Sequence, residues 1–315
     1  MTVTNAKGCS AKPFFKTVKS YLGLLILLIS VIFLIIYSRD VSAGVISGIT
    51  LAVRSIIPSL FPFLILSDIF IRQFSSGTGV FGRIFSRIFG FPPQAAGAFL
   101  CGSFSGFPVG VKCATDLYLG GNINKSELER LICIVNNPSP AFVIAAVGTM
   151  RGSTRDGVIL YISVILAAIL TGIFFLKRGG GKSDITNQPI KTDFSLVTSI
   201  KNAAYTSIGI SAYIIFFSGL LGIIKAIFKS HDLTLFFSLF LEIGNAASLL
   251  AASGLDRTLS LALTAFALGF SGLSVHMQSK SLLPSEISIK KYILMKLVTG
   301  MLSAVIVVLI VSTVL

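Results

Sequence analysis

Residues 21–37 are apolar apart from Gly23 and Ser30, long enough to cross most of a bilayer's hydrocarbon core, and predict a first transmembrane helix. Val41-Ser42-Ala43 resembles a leader cleavage site, but the run is long for a leader and Arg39-Asp40 intervenes, so it is kept as a span. Residues 42–55 mix apolar positions with Ser42, Ser47, Thr50 and Arg54, which predicts a helix in the membrane interface. Pro58 and Pro62 open a helix to about Phe74, since proline fits a first turn whose N–H has no partner. Arg83 and Arg87, set between phenylalanines, predict a second surface helix over 79–90. A regular span covers 154–176, and an interfacial helix with Lys201 and Asn202 covers 194–206. Spans follow at 207–228 and 233–252, then a segment at 256–283 and a last helix from Ser285-Glu286.

Two stretches break this regularity at membrane depth. Residues 92–120 hold Phe104-Ser105-Gly106-Phe107-Pro108-Val109-Gly110, and residues 124–150 begin with Asn124 and Glu127 and reach Asn136-Asn137-Pro138-Ser139-Pro140. Glycine and proline interrupt the backbone ladder there, which is tolerated only where protein or a wet cavity satisfies the freed groups. A similar break, Gly269-Phe270-Ser271-Gly272-Leu273-Ser274-Val275-His276, lies in the last third. Phe104–Val109 matches Phe270–Val275, and each half opens with an interfacial helix. The polar, basic stretch 177–193 reads as a cytoplasmic linker between a first repeat at 42–176 and a second at 194–315. With residues 1–20 also basic and cytoplasmic, the second repeat is inverted relative to the first. The expected fold is thus an all-α, polytopic membrane bundle of two inverted repeats with broken or re-entrant helices.

Composition agrees with that class. Charged residues make up 12% of the 315, about half the usual share for a soluble domain. The net charge of +14 lies in short gaps between apolar segments, as in Lys7, Lys12, Lys16 and Lys19. That is a positive-inside bias, and it argues against nucleic acid as a partner. Cys9, Cys101, Cys113 and Cys133 have no ligand spacing and read as small buried hydrophobes. His231 and His276 are far apart, so neither a metal nor another cofactor is expected. With no Ser–His–Asp set and no acid–base pair, an enzyme is not expected.

The run Ser105–Lys112, with Asp116, Glu127-Leu128-Glu129-Arg130-Leu131 and Asn136–Pro140, resembles the sporulation integral membrane protein YlbJ family, whose members carry the nucleoside-recognition gate domain. Ser59-Leu60-Phe61-Pro62-Phe63, and Gly269–Gly272 with His276 and Gln278, are similar to it as well. The resemblance spans roughly residues 42 to 312. It implies a multi-pass protein of the forespore membrane that takes up dipicolinate during sporulation. Phe107 departs from the family's glycine-tyrosine-proline motif, so if a tyrosine hydroxyl there touches substrate, that contact is missing here.

Four clusters are candidates for binding substrate. At Ser103, Ser105, Gly106, Pro108 and Lys112, a half-helix starting after the proline aims N–H groups and a positive dipole end inward, and Lys112 adds a charge suited to a carboxylate. Alternatively, Lys112 snorkels and the glycines only allow close packing. Asn136, Asn137 and Ser139 offer amides and a hydroxyl where the prolines remove backbone donors, or else they cap helix ends. Glu242 and Asn245 lie three apart on one helix face; Glu242 carries a coupling proton or pairs with Lys112. Ser271, Ser274, His276 and Gln278 complete a pocket from the second half, or serve as structural groups. Three functions remain open: a transporter of a small organic anion, a nucleoside or other neutral-metabolite permease, and a non-transporting sporulation scaffold with membrane-protein partners.

Overall fold

The computed structural model describes residues 12–58, 60–62, 64–66, 79–176 and 195–314. The linker 177–193, the first eleven residues and the end of the helix expected to reach Phe74 lie outside them. Among the described residues the secondary structure is all helical. Four helices are long and apolar enough to cross a membrane, or five if the bent pair at Tyr37 forms one span.

Helix α1 (Lys12–Ile36) turns by 89° at Tyr37 into α2 (Ser38–Ile56), whose last turn, Ala52–Ile56, is π-helical. The surface helix expected at 42–55 is therefore part of a longer helix, and it packs along α9 (Leu196–Phe228). Small residues make that approach possible: a Cβ on Gly44 would strike the Ser218 carbonyl, and one on Gly48 would come within 2.8 Å of the Ser218 side chain. The weak hydrophobicity of this stretch thus includes the small residues that let the two helices approach. Likewise, the expected break between 194–206 and 207–228 is absent. α9 is one helix of 33 residues, about 50 Å long at 1.5 Å per residue, longer than the hydrocarbon core.

The amphipathic helix α3 (Gly79–Phe89) buries Phe85 and Phe89 and leaves Arg83 and Arg87 exposed, as expected. Two half-helices follow, α4 (Ala95–Ser105) and α5 (Val109–Leu119), which fold back on each other about Gly106-Phe107-Pro108. Gly106 has φ 80° at that tip, a region open to glycine. Helix α6 (Lys125–Val135) starts on the predicted capping box. Asn124 accepts from the Glu127 N–H at 2.9 Å, and Glu127 accepts from the Asn124 N–H at 2.8 Å. After the break at 136–140 the chain resumes as α7 (Ala141–Met150), and α8 (Thr154–Phe175) is the regular span.

The second half repeats this order. The expected span at 233–252 is two short helices, α10 (His231–Leu241) and α11 (Ile243–Ala251), packed against each other across Glu242. Then come α12 (Arg257–Phe270), a break at Ser271, α13 (Gly272–Leu282) and the long α14 (Lys290–Val314). The order long helix, hairpin, broken helix, long helix thus occurs twice. Contacts follow the same pairing: α4 and α5 with α6 as α10 and α11 with α12, α5 with α13 as α11 with α7, and α6 with α14 as α12 with α8. The helices α2 and α9, and α8 and α14, meet their own counterparts. This register corrects the sequence match. The Phe104–Val109 break corresponds to the Glu242 break, and the Phe270–Val275 break corresponds to Asn136–Pro140.

Candidate functional site

Both halves line a small, half-open cavity. Ile56 and Leu60 face it from α2 and its continuation, Ile210 and Ile214 from α9, and Phe142 and Val275 add further apolar wall. Polar groups come from the breaks: Ser139, Glu242, Ser274 and Gln278. A mostly apolar wall with few fixed polar groups is the usual build of a small-molecule site.

Four half-helices bring their starts to this cavity. Phe107 precedes α5, Ser139 precedes α7, Glu242-Ile243 opens α11, and Ser274 lies in the first turn of α13. The first N–H groups of a helix lack intrahelical partners and carry its positive dipole end. Two of these starts are closed by side chains. Glu242 accepts from the N–H groups of Gly244 (3.0 Å) and Asn245 (2.7 Å), and Ser139 Oγ accepts from the Phe142 N–H at 3.1 Å. The starts of α5 and α13 have no side-chain cap. Among the described residues lining the cavity, Glu242 is the one ionisable side chain.

Glu242 and Asn245 were expected on one face of a continuous helix. Instead Glu242 has extended backbone (φ −151°, ψ 120°), which ends α10, and it stands as the N-cap of α11. Asn245 does not line the cavity; its Nδ2 donates to Glu242 (2.8 Å) and to Ser218 Oγ on α9 (2.7 Å), tying the hairpin to the long helix.

Lys112 is a correction of larger consequence. Its side chain is 56% exposed, its Nζ lies 3.0 Å from Asp116 one turn on, and it does not line the cavity. The inward face of α5 is made by Gly110, Val111, Cys113 and Ala114 and leaves Lys112 outside, which also removes the expected pairing with Glu242.

The other candidates divide in the same way. Gly106 and Pro108 shape the hairpin tip, and a Cβ on Gly106 would lie 2.7 Å from the Ser139 nitrogen, so tip and break are in contact. Ser103 and Ser105 are buried beside this tip, away from the cavity lining, and the Ser103 carbonyl accepts from Tyr161 Oη at 2.8 Å. Ser271 adopts a left-handed conformation (φ 77°) and forms the break itself. Asn136 and Asn137 are fully buried behind the cavity. Asn137 Nδ2 donates to the Ile134 carbonyl at 2.7 Å, and Asn136 Nδ2 donates to Ser279 Oγ (2.9 Å) and Tyr292 Oη (2.6 Å). His276 is wedged edge-on between Phe270 and Tyr292, with ring centroids 4.9 and 5.2 Å away, and does not line the cavity.

Lys296 was overlooked in the sequence. It is fully buried, and its Nζ donates to the Asn136 carbonyl at 2.8 Å. A cation inside the last apolar run was the available signal, since such a charge is costly in a bilayer.

These features define a multi-pass helical membrane protein with one cavity shared by two structural repeats. Family models, curated proteins and solved structures yield no match to the chain.

Proposed function

We propose that the protein is a secondary transporter for a small organic anion, and that dipicolinate, which the YlbJ-family resemblance implies, is its substrate in the forespore membrane. The observation that carries this reading is the cavity lined at the starts of four half-helices. The two starts without a side-chain cap each contribute roughly half a unit of positive charge, a setting that favours a carboxylate without a lysine or arginine. The starts of α5 and α13 carry no side-chain cap, and Ser139, Ser274 and Gln278 add hydroxyl and amide groups. The apolar lining from Phe107, Phe142 and the isoleucines suits an aromatic ring.

Alternating access follows from the repeat. We take the long first helix, the broken helix and the last span of each copy as three crossings, with the hairpin returning to its own side. An odd number turns the second copy over, and a site between inverted copies opens to either side as they rock.

Glu242, the one ionisable group on the wall among the described residues, favours a second reading, a permease for a neutral metabolite such as a nucleoside. Uptake of labelled dipicolinate into liposomes, challenged with unlabelled nucleosides, separates the two. Saturable uptake unmoved by nucleosides is expected, and uptake abolished by them overturns the anion reading.

Phe107 lies on the cavity wall, at the position where the family's motif has tyrosine. Phe107→Tyr adds a hydroxyl beside the substrate and is expected to tighten dipicolinate binding by about twofold to tenfold, the worth of one net hydrogen bond of about 0.5–1.5 kcal/mol. Equilibrium binding to the purified variant checks it; unchanged affinity places the ring away from the ligand.

A further inference from the structure

The cavity does not use Lys296, yet this lysine is the most deeply placed cation among the described residues. It is fully buried in α14, and no carboxylate of the described residues forms an ion pair with it. Its Nζ donates to the carbonyl of Asn136, where α6 ends. The last carbonyls of a helix have no intrahelical partner and form its negative end. At this end each carbonyl is met differently. Ile134 accepts from Asn137 Nδ2, the Val135 carbonyl lies against Gly102 and Gly110, and Asn136 receives the lysine.

Asn136 is also the knot of the two halves, since its amide donates to Ser279 on α13 and Tyr292 on α14. Ser139, in the same break, lines the cavity. The titratable groups near Lys296 are Cys133 from α6, His276 from α13 and Tyr292 on its own helix. Helix α8 meets this stretch of α14 with Thr171, 3.0 Å from Thr299, and α12 meets it with Gly269 against Gly300.

We propose that Lys296 is the proton-binding site that couples transport: its protonated amine is a tethered cation on the open carbonyl end of α6, and release of that proton frees the break between α6 and α7 to rearrange. Protonated, the amine makes a charge-assisted hydrogen bond that holds the Asn136 carbonyl and, through it, the α13–α14 network. Unprotonated, the amine keeps N–H donors but loses its charge, so its hold on that helix end weakens and the segment carrying Ser139 is less firmly pinned. The transferred species is a proton, taken from water on one side and returned on the other, so no metal cation is needed. This inference rests on the transporter reading above and names its coupled ion.

The test uses purified protein in liposomes carrying an internal pH dye, with labelled dipicolinate as the probe. In the wild type, an inward proton gradient is expected to drive accumulation, and added dipicolinate to acidify the interior. Lys296→Met and Lys296→Gln are each expected to lose both responses while retaining dipicolinate exchange at equal pH. Gln keeps a donor for Asn136, so it separates loss of charge from loss of contact. Accumulation driven by a sodium gradient in the wild type, or by the proton gradient in Lys296→Gln, overturns the proposal.

A second measurement needs no substrate: the melting temperature of the detergent-solubilised protein from about pH 5.5 to 9. The wild type and His276→Gln are expected to share one pH dependence that is flattened in both lysine variants. The same profile in all four proteins overturns the proposal. Absence of dipicolinate uptake by the wild type overturns the substrate instead, and the pH profile still decides the role of Lys296.

Discussion

Replacing Glu242 by alanine is expected to unpin the second hairpin and reduce transport to background. Its carboxylate accepts from two backbone N–H groups of α11 and from Asn245 Nδ2, all in a place where the residue is 2% exposed. Loss of an N-cap costs about 1 kcal/mol, and the two buried backbone N–H groups left without a partner add about 1 kcal/mol or more each, while Asn245 keeps its bond to Ser218. A total of about 3 kcal/mol is a large part of a typical stability. A melting temperature several degrees below wild type checks the structural half of this expectation. Glu242→Gln keeps an acceptor at the cap and removes the negative charge from the cavity. If the substrate is an anion, that exchange is expected to strengthen equilibrium binding by about tenfold, or about 1.4 kcal/mol. Weaker binding in Glu242→Gln, with the hairpin intact, points to a substrate that needs the carboxylate. Unaltered binding but lost accumulation points to Glu242 rather than Lys296 as the proton carrier.

The largest structural effect is expected at Gly102. A Cβ there would collide with the Val135 carbonyl, and Gly110 faces the same oxygen from the other arm of the hairpin. The obstacle is backbone on both sides, so no rotamer change relieves it. Overpacking of this kind costs about 1–3 kcal/mol at the least. Here it also pushes α4 away from α5 and shifts the end of α6 on which Asn136 and Lys296 depend. Gly102→Ala is expected to yield little folded protein in the membrane. Gly97→Ala, on the same helix with open space around its Cβ position, is expected to behave as wild type. Equal yields of folded protein from the two variants would mean that the hairpin arms do not meet as described.

The contrast between Gly102 and Gly97 also shows where sequence reading runs out. Membrane class, the spans at 154–176 and the start of α6 were legible, because they depend on local hydropathy and on the Asn124–Glu127 spacing. Breaks marked by glycine and proline at Gly106-Phe107-Pro108, Asn136–Pro140 and Ser271-Gly272 were legible for the same reason. The break at Glu242 was not, because no proline marks it and α10 and α11 together have the length and hydropathy of an ordinary span. Only the carboxylate folding onto its own helix start separates the two outcomes. Lys112 was misplaced because its orientation depends on which face of α5 meets α6 and α13, and that is set by tertiary packing. Lys296 was missed because it lies close after Lys290 and Lys291, which mark a helix start at the interface. The repeat itself was legible, but its register was not. A short Gly/Ser match aligned a hairpin tip with a helix break, and only the order of elements and their paired contacts set it right.

The measurement that bears most directly on the central claim is equilibrium binding of labelled dipicolinate to the purified protein, wild type beside Ser274→Leu and Lys112→Ala. Ser274→Leu fills the cavity between the uncapped helix starts, whereas Lys112 is outside it. Saturable binding in the wild type and Lys112→Ala, lost in folded Ser274→Leu, is the predicted result. Binding that survives Ser274→Leu but disappears in Lys112→Ala would contradict the cavity as the anion site.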